Sequence, residues 1–283
     1  MKCPNLFIVG APKCGTTAMA SYLSEHPDVY VSDPKEPNYF LHPKSSHRKF
    51  KSYTHYLSLF RGAGEEKYLC DASIWYLYSK YAAEGILNKC PDAKIIVMRR
   101  DPVGFIRSLH SQLVFGRYES LDLEASWRKN CHRLHDGDSS IETQCDWELM
   151  YSELVKFDKY IAVWTNLFGE KNLLVVDQND LAGDPLSTYK SVLEFLGVRY
   201  DNRVDFTRVN TNKIVKYHLL QDYLIYVSRI KWLRAMSILT KRALGVSSLG
   251  IYKFFRNLNH YEGERAVVDD VLIEKMRDFY NDK

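Results

Sequence analysis

The sequence predicts an α/β protein, with a parallel β-sheet flanked by helices on both faces and a helical C-terminal part. Short apolar runs recur at Leu6 to Val9, Tyr68 to Cys70, Ile95 to Met98 and Leu173 to Val176. Each is followed by a turn and then by a longer stretch of helical spacing. Strands that alternate with helices in this way build parallel sheets covered on both sides. At the other end of the chain, Val267, Val271, Leu272, Met276, Phe279 and Tyr280 recur at near-helical intervals.

Taken in order, the helical stretches fall near 16–25, 76–89, 102–115, 147–168, 185–196 and 267–281. Two intervals break the rhythm. Residues 116–146 are polar and carry Gly116, Gly137, Asp138, Ser139 and Ser140, which predicts loops or a flap between two helices. Residues 214–256 interleave Lys216, Arg229, Lys231, Arg234, Lys241 and Arg242 with Leu, Ile, Tyr and Trp. That pattern fits either packing against the sheet or a basic amphipathic surface for an anionic membrane or polymer, packing being the reading preferred. Neither an internal repeat nor a linker divides the chain, so a single domain over 1–283 is expected, with its core in about 5–213.

Composition narrows the function classes. With 46% hydrophobic and 26% charged residues, the chain has the make-up of an ordinary globular protein. Its formal charge of +4 is too mild for a dedicated nucleic-acid binder and suits ligands that carry phosphate or sulfate. Six cysteines in 283 residues are too sparse for a disulfide scaffold, so free thiols in a reducing compartment are expected. The apolar run at Leu6 to Val9 is too short for a signal-peptide core. No stretch approaches the roughly 20 apolar residues of a membrane span, so a soluble cytoplasmic protein without an integral membrane segment is expected. No His/Cys cluster has zinc spacing, and no Ser-His-Asp triad can be assembled.

The strongest local signal is Leu6-Phe-Ile-Val-Gly10-Ala-Pro-Lys13-Cys14-Gly15-Thr16-Thr17, a strand that runs into a Gly-bounded loop and a helix start. Backbone N–H groups of such a loop, together with the helix N-terminus, make a phosphate site, and the sheet is then of the P-loop type. Gly10 and Gly15 are spaced as in G-x-x-x-x-G-K-[ST], but Thr16 stands where that motif has Lys. The lysine of the loop is Lys13, inside it. A nucleoside triphosphatase needs the later Lys on the β and γ phosphates with Mg²⁺, so this loop reads as built for one 5′-phosphate, with Lys13 leaning toward the group attached to it. The alternative is a Gly-containing turn that binds nothing.

A second anion site is read at Arg99-Arg100-Asp101-Pro102, where a strand ends and Pro102 suits the first turn of a helix. Arg100 and Ser108, about two turns into that helix, are able to converge on one oxyanion. Arg99 serves instead if the register slips by one. The alternative is a strand-end salt bridge and an exposed serine.

The loop Pro12 to Thr17 resembles the 5′-phosphosulfate loop of sulfotransferases that use 3′-phosphoadenosine 5′-phosphosulfate (PAPS), especially the branch with heparan sulfate sulfotransferases and their bacterial relatives. Further matches follow in that family's order: His26-Pro27-Asp28-Val29, Lys35-Glu36-Pro37-Asn38-Tyr39-Phe40, Asp71-Ala72-Ser73, and Arg100-Asp101-Pro102 with Ser108. The resemblance spans roughly 5–213 and, weakly, the last helix.

The resemblance implies sulfuryl transfer by in-line displacement, with PAPS as donor, its desulfated form PAP as product, and no metal. It implies that Lys13, Cys14, Gly15, Thr16 and Thr17 hold the 5′-phosphosulfate, that Lys13 also acts in catalysis, and that Arg100 and Ser108 hold the 3′-phosphate. Glu36 becomes the candidate base. Asn38 departs from the His that relatives often carry, and since Asn cannot act as a base, Glu36 bears that role alone. Asp71 is an acceptor contact or a cap for the next segment. His26 reads as structural, whereas His110, near Ser108, is a further candidate at the site. Trp75, Tyr76, Tyr118 and Trp127 fall in segments expected to edge the cleft.

Residues 209–213 with Lys216 look like a degenerate form of the segment that closes over the cofactor in relatives. Its usual Lys-Gly step is absent here. Lys213 is therefore a cofactor contact or the exposed start of a basic helix. The partner is a carbohydrate or small-molecule acceptor left open by composition, and not a nucleic acid. Two other readings compete, a nucleotide kinase with an altered loop and a non-catalytic binder of anionic polymers.

Overall fold

Every residue of Leu6–Gly10 is buried, and this segment forms β1, the central strand of the sheet. The structure is a computed structural model that describes residues 2–131, 148, 150–207, 213–217, 220, 223, 259–263 and 269–281. Beside β1 lie β2 (Val29–Val31), β3 (Tyr68–Asp71), β4 (Lys94–Arg99) and β5 (Leu173–Asp177), in the order β2-β3-β1-β4-β5. All four strand pairs are parallel. Ile95, Ile96, Val97 and Met98 of β4 are fully buried, as central parallel strands with both faces covered require. Burying each such side chain stabilises the fold by about 1.5–3 kcal/mol.

The α-helices described are α1 (Thr16–Ser24), α2 (Tyr53–Leu57), α3 (Lys80–Lys89), α4 (Pro102–Phe115), α5 (Leu123–Cys131), α6 (Tyr151–Leu154), α7 (Phe157–Phe168), α8 (Gln178–Gly183), α9 (Pro185–Leu196) and α10 (Asp270–Asn281), and an antiparallel pair joins β6 (Lys213–Val215) and β7 (His260–Glu262). Met1–His110, Asp122–Asn210 and Val268–Lys283 form one compact unit, and Ser111–Leu121 with Thr211–Val267 form a second. None of the described helices is long and apolar enough to cross a membrane.

All four expected strands are present, and β2 is an addition, its three residues too short to show a period. The helix expected at 147–168 is two helices, because Lys156 leaves the helical region at φ −75°, ψ 57°. Glu153, buried between them, accepts hydrogen bonds from Lys156, Lys159 and Tyr160. Burial pushes its carboxyl up, but these donors outweigh it and hold the group down at about 2. The stretch expected as a helix from 76 begins as a 3-10 turn at Tyr76–Tyr78, and α3 starts only after Ser79, whose side chain accepts a hydrogen bond from the Ala82 N–H. Part of the predicted loop region at 116–146 is helical, since Asp122 caps α5 by accepting from the Ala125 N–H at 2.8 Å; residues 132–147 lie outside the described residues.

The C-terminal helix is present as α10, with Leu272 and Met276 buried but Val271 53% exposed. Val271 therefore stands off the apolar face assigned to it. Lys213 to Val215, placed at or before a helix start by sequence, pair with β7 instead. Most of 214–256 falls outside the described residues.

Candidate active site

From β1 the chain passes through α1 to β2 on one side of the sheet, and from β4 it passes on to β5 on the other, so the connections diverge between the adjacent strands β1 and β4. In open parallel sheets the crevice at the strand carboxyl ends beside such a divergence is where ligands bind. The loop after β1 opens there. At its base Gly10 has φ +152°, and a Cβ added to it would meet the Ile74 carbonyl oxygen at 2.6 Å and Leu77 Cβ at 2.8 Å. Gly10→Ala is therefore expected to lower the melting temperature measurably, since overpacking against fixed backbone costs about 1–3 kcal/mol. An unchanged thermal unfolding curve would show that the loop shifts freely.

The loop then turns in two left-handed steps, Lys13 at φ +64° and Gly15 at φ +87°. Gly15 is the N-cap of α1 and has no side chain to offer, so the first-turn N–H groups are left for an external acceptor. The Ala11 N–H donates to the Met98 carbonyl at 2.6 Å and ties the loop to β4. Cys14 is fully buried, and that burial pushes its thiol well above the ordinary range despite nearby Arg100, so it stays a neutral thiol. Its side chain donates to the Pro12 carbonyl. Thr16 is buried and Thr17 is half-buried.

At the end of β4 the two arginines part. Arg99 pairs with Asp158 at 3.4 Å and with Asp177 at 3.8 Å. Arg100 turns instead toward the start of α4, its Nε 3.4 Å from Asp101, which caps that helix by accepting from the Gly104 N–H at 2.6 Å. A Cβ on Gly104 would lie 2.7 Å from Arg100 Nε, so the guanidinium covers the face of α4 that this glycine leaves bare. Ser108, one turn on and on that same face, is buried.

Glu36 and Asn38 both have left-handed backbone, at φ +57° and +54°. Glu36 is 28% exposed, and its carboxylate accepts from Lys35 Nζ at 3.2 Å. The same ammonium lies 3.4 Å from the Thr17 hydroxyl of α1. Lys35 thus ties the candidate base to α1, the helix that follows the β1 loop. The sequence points to Lys35 only through its place beside Glu36.

Asp71 sits at the end of β3 with no solvent exposure, so it is an interior group and not the acceptor contact expected of it. Among the described residues no backbone N–H donates to its carboxylate, as a cap would require. Its carboxylate accepts from Ser73 Oγ at 2.6 Å, Tyr56 OH at 2.7 Å and Tyr76 OH at 3.1 Å. Burial pushes the carboxyl up to about 6, with these donors and the Lys35 charge opposing the rise. Trp75, expected in a segment that edges the cleft, is likewise interior at 5% exposure, packed against the His47 and Tyr78 rings, and Tyr76 and Trp127, expected in such segments too, are also buried. His26 is buried and bonds the Arg199 carbonyl at 2.8 Å, a structural place. His110 is half-buried on α4, its ring edge-on to Tyr151. Lys13 to Thr17, Glu36, Asp71, Trp75, Arg100, Ser108 and His110 share the first unit, whereas Tyr118, which is 69% exposed, and Lys213 belong to the second.

Fold and side chains together define a P-loop-type α/β protein in which a lysine links a carboxylate to the helix that follows the β1 loop. Residues 4–202 match the model of the sulfotransferase family. Over 197 residues the chain is 27% identical to mouse heparan sulfate glucosamine 3-O-sulfotransferase 3A1, covering 69% of this chain and 46% of that one. It is 31% identical over 165 residues to the membrane-associated sulfotransferase kil1 of Dictyostelium discoideum, covering 56% of this chain and 33% of that one. A solved sulfotransferase from Alicyclobacillus acidocaldarius shares the fold at a TM-score of 0.66 and 24% identity, over 89% of this chain and 100% of that one. The chain belongs to the sulfotransferase family, and membership supports sulfuryl transfer in general. It spans half or less of the length of these curated relatives.

Proposed function

We propose that the chain is a PAPS-dependent sulfotransferase acting on a hydroxyl or amine of a carbohydrate or small-molecule acceptor. The observation that carries this reading is the Lys35 bridge, which joins Thr17 at the start of the phosphate-loop helix to the Glu36 carboxylate. A group able to take a proton is thereby held beside a site for an anion. Bound PAPS supplies a sulfuryl group attached to a 5′-phosphate that leaves readily.

The uncapped start of α1, with the bare Gly15, fits the 5′ end of such a donor. Arg100 on the Ser108 face of α4 fits a second, 3′-phosphate, and the engagement of Arg99 with Asp158 and Asp177 favours Arg100 for that task. Lys13 places a cation where negative charge grows on the bridging oxygen, and Glu36 takes the acceptor's proton. The kinase reading lacks the lysine after Gly15.

Titration calorimetry without Mg²⁺ tests the reading. PAP is expected to bind and ATP is not; preference for ATP with Mg²⁺ would make the chain a nucleotide kinase. Arg100→Ala is expected to weaken PAP about 10- to 100-fold and leave adenosine 5′-monophosphate unchanged, because a hydrogen bond to a charged group contributes about 1.5–3 kcal/mol. Equal weakening of both nucleotides would remove the two-phosphate model.

A further inference from the structure

We infer that Asp71 is a positioning residue for the reaction, setting the backbone that carries Glu36 through two hydrogen-bond relays; this rests on the reading of Glu36 as the base. The first relay runs from the Asn38 N–H to Ser73 Oγ at 3.0 Å, and from that hydroxyl to Asp71 Oδ1 at 2.6 Å. The second runs from the Phe40 N–H to Tyr76 OH at 3.1 Å, and from that hydroxyl to Asp71 Oδ2 at 3.1 Å. One carboxylate therefore orients both hydroxyls that receive the loop's N–H groups. With Asp71 as acceptor, each hydroxyl points its proton inward and presents a lone pair to the loop.

The loop needs such a hold. Two non-glycine residues in left-handed backbone within three positions, Glu36 and Asn38, carry strain that persists only where the surroundings over-determine it. Asn38 is 1% exposed and its side-chain oxygen, also buried, has no hydrogen-bond partner among the described residues, so it adds none of their hydrogen bonds to that hold. Proline at 37 has no N–H to contribute. Tyr56 supplies an internal control. Its hydroxyl donates to the same Asp71 oxygen at 2.7 Å, and its ring stacks on Tyr39 at 4.8 Å, yet no bond from its hydroxyl to the loop backbone is part of either relay.

The mutation series compares Asp71→Asn, Ser73→Ala, Tyr76→Phe and Tyr56→Phe with Glu36→Gln, reading PAP affinity, kcat and hydrogen exchange at the Asn38 and Phe40 amides. Asn in place of Asp71 brings a donor where donors already point, so at least one relay must reverse. Asp71→Asn is expected to speed exchange at one or both amides, to leave PAP affinity within about 3-fold, and to lower kcat about 10²-fold, the lower end of what loss of a general base costs. Combined with Glu36→Gln it is expected to add little, since residues acting as one unit are not additive.

Ser73→Ala and Tyr76→Phe keep the carboxylate and each break one relay, so they carry the test if Asp71→Asn does not fold. Each is expected to lower kcat more than Tyr56→Phe does. Multiplicative losses in the double variant, or equal losses for Tyr56→Phe and Tyr76→Phe, would reduce Asp71 to a core residue. If the wild-type chain transfers no sulfuryl group, the amide-exchange arm still reads the relays directly, and unaltered exchange in Asp71→Asn would overturn them by itself.

Discussion

Lys13→Ala is expected to remove nearly all turnover while weakening PAP much less. Lys13 is half-buried within the loop between β1 and α1, in left-handed backbone at φ +64°. On the proposed reading, a cation there would act on charge that develops at the bridging oxygen as the sulfuryl group is transferred, and so would stabilise the transition state more than the bound donor. Losing one such preorganised donor costs about 10² to 10³ in kcat. The backbone strain complicates alanine, which also resists positive φ. Lys13→Gly relieves that strain and Lys13→Arg keeps the charge, so a kcat low in Ala and Gly and partly restored in Arg assigns the loss to the cation. Equal losses of PAP affinity in all three, with turnover at saturation untouched, would leave Lys13 a binding residue only.

What could be read in the sequence follows from how local each feature is. β1, β3, β4 and β5 announce themselves because strands buried on both faces are continuous apolar runs. The loop between β1 and α1 announces itself because two glycines at fixed spacing sit between a strand and a helix start. β2 does not, since three residues show no period and only pairing with β3 defines it. The break before α7 escapes for a related reason: apolar spacing continues across 147–168, and Glu153 with its ring of donors interrupts it only in three dimensions.

The candidate site divides along the same line. Lys13, Glu36 and Arg100 lie in short motifs whose chemistry is carried by adjacent residues, so they are legible one at a time. Asp71 reads from the sequence as either an acceptor contact or a cap, and its burial is not legible there, because exposure is a property of packing and not of the letters Asp-Ala-Ser. The partners that enclose it, Tyr56 and Tyr76, come from separate elements, and nothing in either local sequence points to a shared carboxylate. Trp75 fails in the same way, since an aromatic residue near a strand end is as suited to the core as to a cleft.

Glu36→Gln is expected to lower kcat about 10²- to 10⁴-fold with PAP affinity unchanged, the range that removal of a general base spans. The amide keeps the size of the side chain and still offers an oxygen to Lys35 Nζ, which lies 3.2 Å from the carboxylate and also reaches Thr17. The bridge to α1 is thus retained while the proton acceptor is lost. Glu36→Ala removes both, so a further drop from Gln to Ala measures what the bridge contributes by positioning. Acceptor acidity separates the two roles: an acidic phenol sheds its proton with little help and should largely escape the Gln penalty, whereas an aliphatic alcohol should bear it in full. Undiminished turnover of the aliphatic alcohol by Glu36→Gln would move the base elsewhere, and His110, half-buried on α4, would be the next residue to substitute, because Asp71 is enclosed by its three donors.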